Sequence, residues 1–238
     1  MVFELRTGRV RPQPFPHVVI EDYLPAPVYE EMERTFPTCP PRSGPTGFTS
    51  FWGDEDYDAL IASNPTWKGA FDSFHSQELV DFCRRQFAQA FADEGCRVDL
   101  DAARYTPFRE TREDKEKRHI APNGLGPEAV WTRMDVLQGW KDYVRGPHLD
   151  HRRRLLTILI YFTDAESVGM EGGDLVLHAT DQGGPGAPIA AIKPRRNLML
   201  AFPCSPRSYH SVSRILSDGA PRNFIQVQLS SSSDAWDR

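Results

Sequence analysis

HLDHRRRLLTILIYF, running from His148 to Phe162, is the stretch on which the fold turns. Its second half, LLTILIYF (Leu155 to Phe162), is β-branched, aliphatic and aromatic almost throughout. Such a run suits a strand buried on both faces. Working outward, VWTRMDVL (from Val130) alternates, Gly172-Gly173 introduces DLVLH, and Ala190 to Lys193 is short. NLMLAF and NFIQVQLS close the series. Several short strands separated by Gly/Pro turns predict a sandwich or jelly roll.

Before this β-rich half the texture is helical. Phe15 to Leu24 predicts a strand ended by Pro25, and Pro27 opens a helix through Arg34, where proline is tolerated in the first turn. Residues 38–56, with Pro40, Pro41 and Pro45, predict an irregular loop. Ser76 is the candidate N-cap of a stronger helix, in which Leu79, Cys83, Phe87, Ala90 and Phe91 form a stripe at helical spacing and Gly95 fits the end. The charged run Arg109 to His119 predicts a solvated loop, with a lid over residues 109–127 as the sharper alternative. The fold class is therefore α+β and mainly β. It comprises one domain over 1–238, with a double-stranded β-helix (jelly roll, cupin-like) over 129–233 and an N-terminal helical part over 1–128.

Bulk properties narrow the function classes. A formal charge of -5 and 39% hydrophobic residues describe a globular chain with no general basic field for nucleic acid. No apolar run approaches the roughly 20 residues of a membrane helix, and the N-terminus lacks the apolar region of a signal peptide. Cys39, Cys83, Cys96 and Cys204 show no C-x-x-C spacing, so neither a zinc ribbon nor a disulfide framework is indicated. A reducing cytoplasm is the expected location. The oligomeric state is not legible.

The chemistry-bearing residues are His148 and Asp150, two apart, and His210 far along the chain. In extended backbone, residues i and i+2 share a face, so the first two can grip one metal from one side. Two imidazoles and one carboxylate make the facial set that suits non-heme Fe(II) and leaves positions open. His151 should point to the opposite face. His17, His75 and His119 read as surface or hydrogen-bonded histidines, and His178 as strand packing. Arg222, at the head of RNFIQVQLS, can take a carboxylate in a bidentate fork.

Together these pieces resemble the Fe(II)/2-oxoglutarate-dependent dioxygenases, in the prolyl-hydroxylase-like branch. The shared pattern is H-x-D (HLD), then Arg154-x-x-Thr157-x-x-x-Tyr161, then Gly172-Gly173, His210 and a basic residue at Arg222. It covers roughly residues 130–230. The resemblance implies that His148, Asp150 and His210 bind Fe(II). It also implies that Arg222 and Tyr161 hold the distal carboxylate of 2-oxoglutarate, with Thr157 lining the same pocket. O2 is then the oxidant, succinate and CO2 are released, and ascorbate stimulates turnover. Because the carboxylate of the triad is present, hydroxylation of an unactivated C–H is expected over halogenation.

The expected substrate is a small molecule, such as an amino-acid derivative or natural-product intermediate, with a peptidyl side chain as the alternative. Other classes compete: a non-catalytic jelly-roll binding module, or a cupin-type isomerase or zinc hydrolase. Arg222 and the intact triad speak against the first, and Arg222 with the absence of an obvious nearby general-base glutamate against the second. Polar candidates for the substrate are Arg133, Asp135, Gln138, Tyr143, Arg152 and Arg207. Arg133 and Asp135 should share one face of their strand, opposite Met134.

Overall fold

The computed structural model describes residues 3–38, 47–111 and 124–237. Two sheets face each other, and four helices cover the outer side of the larger one. The helices are α1 (Ala26–Arg34), α2 (Glu55–Ser63), α3 (Pro65–Phe74) and α4 (Gln77–Asp93). The strands of the larger sheet are β1 (Val18–Ile20), β2 (Gly47–Phe51), β4 (Ala129–Gly139), β6 (Arg154–Tyr161), β9 (Met199–Pro203) and β11 (Arg222–Ser231). Their order is β1-β9-β6-β11-β4-β2, with the short β3 (Arg104–Tyr105) pairing parallel to β4. The smaller sheet runs β5 (Arg145–His148), β10 (His210–Val212), β7 (Leu175–Asp181) and β8 (Gly184–Ile192). This is the expected helical layer on a jelly-roll sandwich. Among the described residues no helix is long and apolar enough to cross a membrane.

Every residue of β6 is buried, as its composition demands. Period-2 alternation divides its side chains between two cores. Leu156, Ile158 and Ile160 join the core under the helices, whereas Leu159 and Tyr161 join the core between the sheets. β11 divides likewise, with Ile225, Val227 and Leu229 beneath the helices and Phe224 between the sheets. Burying each such side chain contributes roughly 1.5–3 kcal/mol, so the register of these central strands is strongly specified.

Several expectations shift. The strand expected over Phe15 to Leu24 contracts to Val18–Ile20. The loop expected over 38–56 contains β2, whose GFTSF lacks an aliphatic signal but takes its ladder from β4. Glu55–Ser63 and Pro65–Phe74, of which only residues 55 and 56 fall in the expected loop and the rest are unassigned from sequence, form α2 and α3. Asn64 caps α3 through its side chain, which accepts from the amides of Thr66 and Trp67. α4 starts where predicted, but Ser76 makes no capping bond, because its hydroxyl donates to the Ser73 carbonyl at 2.7 Å. Gly95 follows the helix with φ +75°, the left-handed value a glycine adopts without strain. β5 begins at Arg145, so His148 is the last residue of a strand. Most of the candidate lid, residues 112–123 with His119, lies outside the described residues. Glu110 overturns the solvated reading at its own position, being buried at 3% exposure.

Candidate active site

The three strands β4, β11 and β6 order the site by their register. On the face between the sheets, Arg133, Gln228 and Thr157 stand in one row, and Asp135, Gln226 and Leu159 in the next. Leu137, Phe224 and Tyr161 follow, then Gly139 and Arg222. All of these but Tyr161 and Gly139 line a cavity of about 790 Å³. Antiparallel pairing of β10 with β5 sets His210 directly opposite His148, with ring centroids 4.3 Å apart. Asp150 follows β5, and one ligand atom from each of the three lies within 4.8 Å of the others.

Each imidazole is already oriented. Nδ1 of His148 lies 2.9 Å from the Gly146 carbonyl, and Nδ1 of His210 lies 2.9 Å from the Ser208 carbonyl. A carbonyl only accepts, so each Nδ1 donates, and in the neutral ring Nε2 is the acceptor; that of His148 accepts from Arg145 Nε at 3.1 Å, a bond that a metal there would replace. Burial first, and then the neighbouring His210, pull the His148 pKa down to about 4, so it is neutral at neutral pH. Burial alone would raise the Asp150 pKa. His210, His148 and the Thr157 hydroxyl outweigh it and hold the carboxyl well below its usual range, so it is ionised. His148 and Asp150 thus have the protonation states a cation requires.

Thr157 donates to Asp150 Oδ2 at 2.6 Å, and Cys204 Sγ reaches the same oxygen at 3.5 Å. Asp150 Oδ1 faces His210 Nε2 at 4.0 Å. One carboxylate oxygen is therefore tied back and the other presented. Thr157 lines the cavity, but its hydroxyl is engaged by the metal-side carboxylate rather than grouped with Arg222. Thr157→Val should cost 10- to 100-fold in metal affinity, the usual loss for an outer-shell partner, with 2-oxoglutarate affinity unchanged. Metal titration with and without 2-oxoglutarate checks this. A variant that loses only 2-oxoglutarate would restore the co-substrate role.

Arg222 sits at the other end of the same face, fully buried. Its Nε donates to the Gly173 carbonyl at 2.7 Å and one terminal nitrogen donates to the Tyr161 hydroxyl at 3.0 Å. Nη1 is buried, and among the described residues no hydrogen-bond partner meets it. An orphaned guanidinium N–H in the interior costs heavily unless a ligand meets it, and a carboxylate is its natural complement. Gly173 has φ +75°, and a Cβ there would press within 3.4 Å of Arg222 Cδ, which suits glycine in the G-G pair. The residues present therefore fit both groups: a divalent cation on the triad and a dicarboxylate reaching Arg222.

The other candidates divide. Arg133 and Asp135 share one face of β4, and both are buried and line the cavity. Arg133 grips Asp135 through two bonds, of 2.7 and 3.0 Å, with its guanidinium 4.2 Å above the Phe51 ring. Gln138 borders the cavity with its amide bonded to Asn223 at 2.8 Å. Tyr143 lies at the Arg222 end, its ring against Gly47 and Gly139, so it sits on the co-substrate side. Arg152 reaches the rim and pairs with Asp234 at 3.0 Å. Arg207 does not line the cavity and pairs with Glu94, next to the end of α4, through Nε at 2.9 Å.

Among the histidines set aside, His178 bonds Ser211 Oγ at 2.8 Å within the smaller sheet. His17 is tied to the Phe15 carbonyl, and His75 stacks on Phe71. His151 follows Asp150 but lies outside the metal-competent group. Sequence reasoning missed Cys204, Glu110, Gln226 and Gln228. The two glutamines had a signal in the alternation of RNFIQVQLS, where every second residue faces the cavity with Arg222.

Residues 136–227 match the family model of the 2OG-Fe(II) oxygenase superfamily. No curated protein matches the chain. Solved structures similar to it include a 2OG-Fe(II) oxygenase family oxidoreductase from Burkholderia pseudomallei, 12% identical, covering 93% of this chain and 87% of that one, with a TM-score of 0.47. A prolyl-4-hydroxylase from Pseudomonas putida is 12% identical, covers 90% and 92%, and has a TM-score of 0.49. A Trichoplax adhaerens prolyl hydroxylase, in complex with a hypoxia inducible factor peptide fragment, is 12% identical, covers 90% and 83%, and has a TM-score of 0.48.

Proposed function

We propose that this chain, which belongs to the Fe(II)/2-oxoglutarate-dependent oxygenase superfamily, hydroxylates an aliphatic C–H on a side chain presented by an extended peptide. The oxygenase part is carried by one observation. The triad and the Arg222 Nη1, which has no partner among the described residues, stand at opposite ends of a single cavity face. Bound there, iron and 2-oxoglutarate would supply the activation of O2 and the oxidising power, with succinate and CO2 released. Stimulation by ascorbate belongs to the same proposal.

The chain's own residues do the rest. His148 and His210 offer Nε2, and Asp150 offers Oδ1, the oxygen that faces His210. Arg222 and Tyr161 take the distal carboxylate, and Leu159 and Phe224 between them keep that arm dry. The peptide reading is supported by the mouth of the cavity. It is bordered by β2 and β5, each an outer strand of its sheet, paired on one side only among the described residues. An extended segment can lie against such edges through main-chain hydrogen bonds. The cavity volume, inside the roughly 300–1,000 Å³ typical of ligand pockets, favours a free amino-acid derivative as the second reading.

Anaerobic Fe(II) and 2-oxoglutarate should give a visible metal-to-ligand absorption band, and succinate release under air should rise with a peptide library more than with free amino acids. The reverse order would select the second reading. Arg222→Met should keep the metal but weaken 2-oxoglutarate roughly 100-fold, the cost of a charge-assisted fork. Isothermal titration on the metal-loaded variant checks this, and unchanged affinity would remove Arg222 from the site.

A further inference from the structure

We infer that the Gln226 carboxamide is a specificity-determining contact, reading an amide of the substrate beside the metal; the inference rests on the oxygenase reading above. Thr157, which holds Asp150, marks the metal row, and Gln228 in that row is tied to Thr157 Oγ1 at 3.4 Å. Gln226 stands one row on, between Leu159 on β6 and Asp135 on β4. Its side chain lines the cavity, and among the described residues no hydrogen-bond partner meets it.

Its two flanks differ in kind. Towards β6 and Arg222 the face is apolar, with Leu159 and Phe224. Towards β4 it is the Arg133–Asp135 pair, whose opposite charges are satisfied within the wall. A neutral polar group suits that flank better than a second carboxylate. A carboxamide offers two donors and an acceptor, and a ligand covering it must return both roles or leave a buried polar group unpaired. A peptide amide matches it with one N–H and one C=O. A pure hydrocarbon does not, so the residue selects for a C–H adjacent to an amide.

The test uses the full chain loaded anaerobically with Fe(II) and 2-oxoglutarate. The probes are N-acetylated, C-amidated aliphatic amino acids and the same residues as free amino acids. In the wild type at least one capped amide should perturb the absorption band and raise succinate release. Gln226→Met, similar in volume and breaking no internal bond, should keep the band and hold 2-oxoglutarate affinity within about twofold. Its KM for that amide should rise 10- to 100-fold with kcat little changed, the usual cost of an unmatched polar contact. Equal KM in the variant, or no response of the wild type to any capped amide, overturns the inference. Loss of 2-oxoglutarate affinity in the variant also overturns it, placing Gln226 on the co-substrate. A wild type without the absorption band removes the oxygenase reading itself, which the other outcomes leave standing.

Discussion

His210→Ala should reduce turnover to background and cost more than about 100-fold in metal affinity, whereas His178→Ala should change neither. Removing an outer-shell partner typically costs 10- to 100-fold, and a direct ligand is worth more than its support. The two histidines make a matched pair. Both are buried, and both lie in the smaller sheet, on adjacent strands. Yet only His210 presents Nε2 toward Asp150 and His148, while the Nε2 of His178 is held by Ser211. His210 has little structural work besides one bond to the Ser208 carbonyl, so its alanine variant should fold. Metal content after dialysis against a weak chelator, with far-UV circular dichroism as the folding control, checks both variants. Equal metal loss in the two would move the centre away from this triad.

What sequence could reveal about this centre follows from where its constraints are local. His148 and Asp150 are two apart, and strand geometry alone gives them a common face. Tyr161 and Arg222 sit at the end and the start of strongly apolar strands, whose alternation fixes their direction. The pairing of β6 with β11 is not local, and it alone brings the Tyr161 hydroxyl to Arg222. Thr157 shows the limit. It shares a face with Tyr161, but four strand residues span about 13 Å, so a common face does not mean a common ligand. Its actual partner, Asp150, arrives from the turn before the strand, and that turn was not predictable. Arg207 failed for a similar reason. Its distance from His210 in sequence is short, but the backbone turns it towards Glu94.

Charge patterning misled at Glu110 because burial there is decided by partners far along the chain. In RETREDKEKRH the residue looks like any solvated glutamate. Folding brings it to Arg154, to Arg133 and to the Trp131 indole, which donates at 2.7 Å. Arg154 is itself the arginine of the R-x-x-T-x-x-x-Y pattern. It anchors Glu110 to the strand that carries Thr157.

Glu110→Gln should destabilise the fold by roughly 3–5 kcal/mol, the cost of breaking a buried ion pair from one side. The substitution preserves shape and leaves Arg154 and Arg133, both buried, short of a counter-charge. Arg154 keeps Ser230, and Arg133 keeps Asp135, so the network weakens without vanishing. For a chain of this size the loss corresponds to a fall of about 6–20 °C in Tm. Acid gives an independent signature. Burial alone would raise the Glu110 pKa, but Arg154, then Arg133 and Trp131, draw it down to about 2. A carboxyl depressed in the folded state stabilises above its unfolded pKa, and that contribution is lost as pH falls through the folded value. The wild type should therefore shed this stabilisation between about pH 4.5 and pH 2. Glu110→Gln, already without it, should show a shallower decline across the same window. Urea midpoints measured at intervals from pH 7 to the acid limit read both effects at once. Parallel curves for the two proteins would mean that the cluster is screened and that Arg154 is held by packing alone.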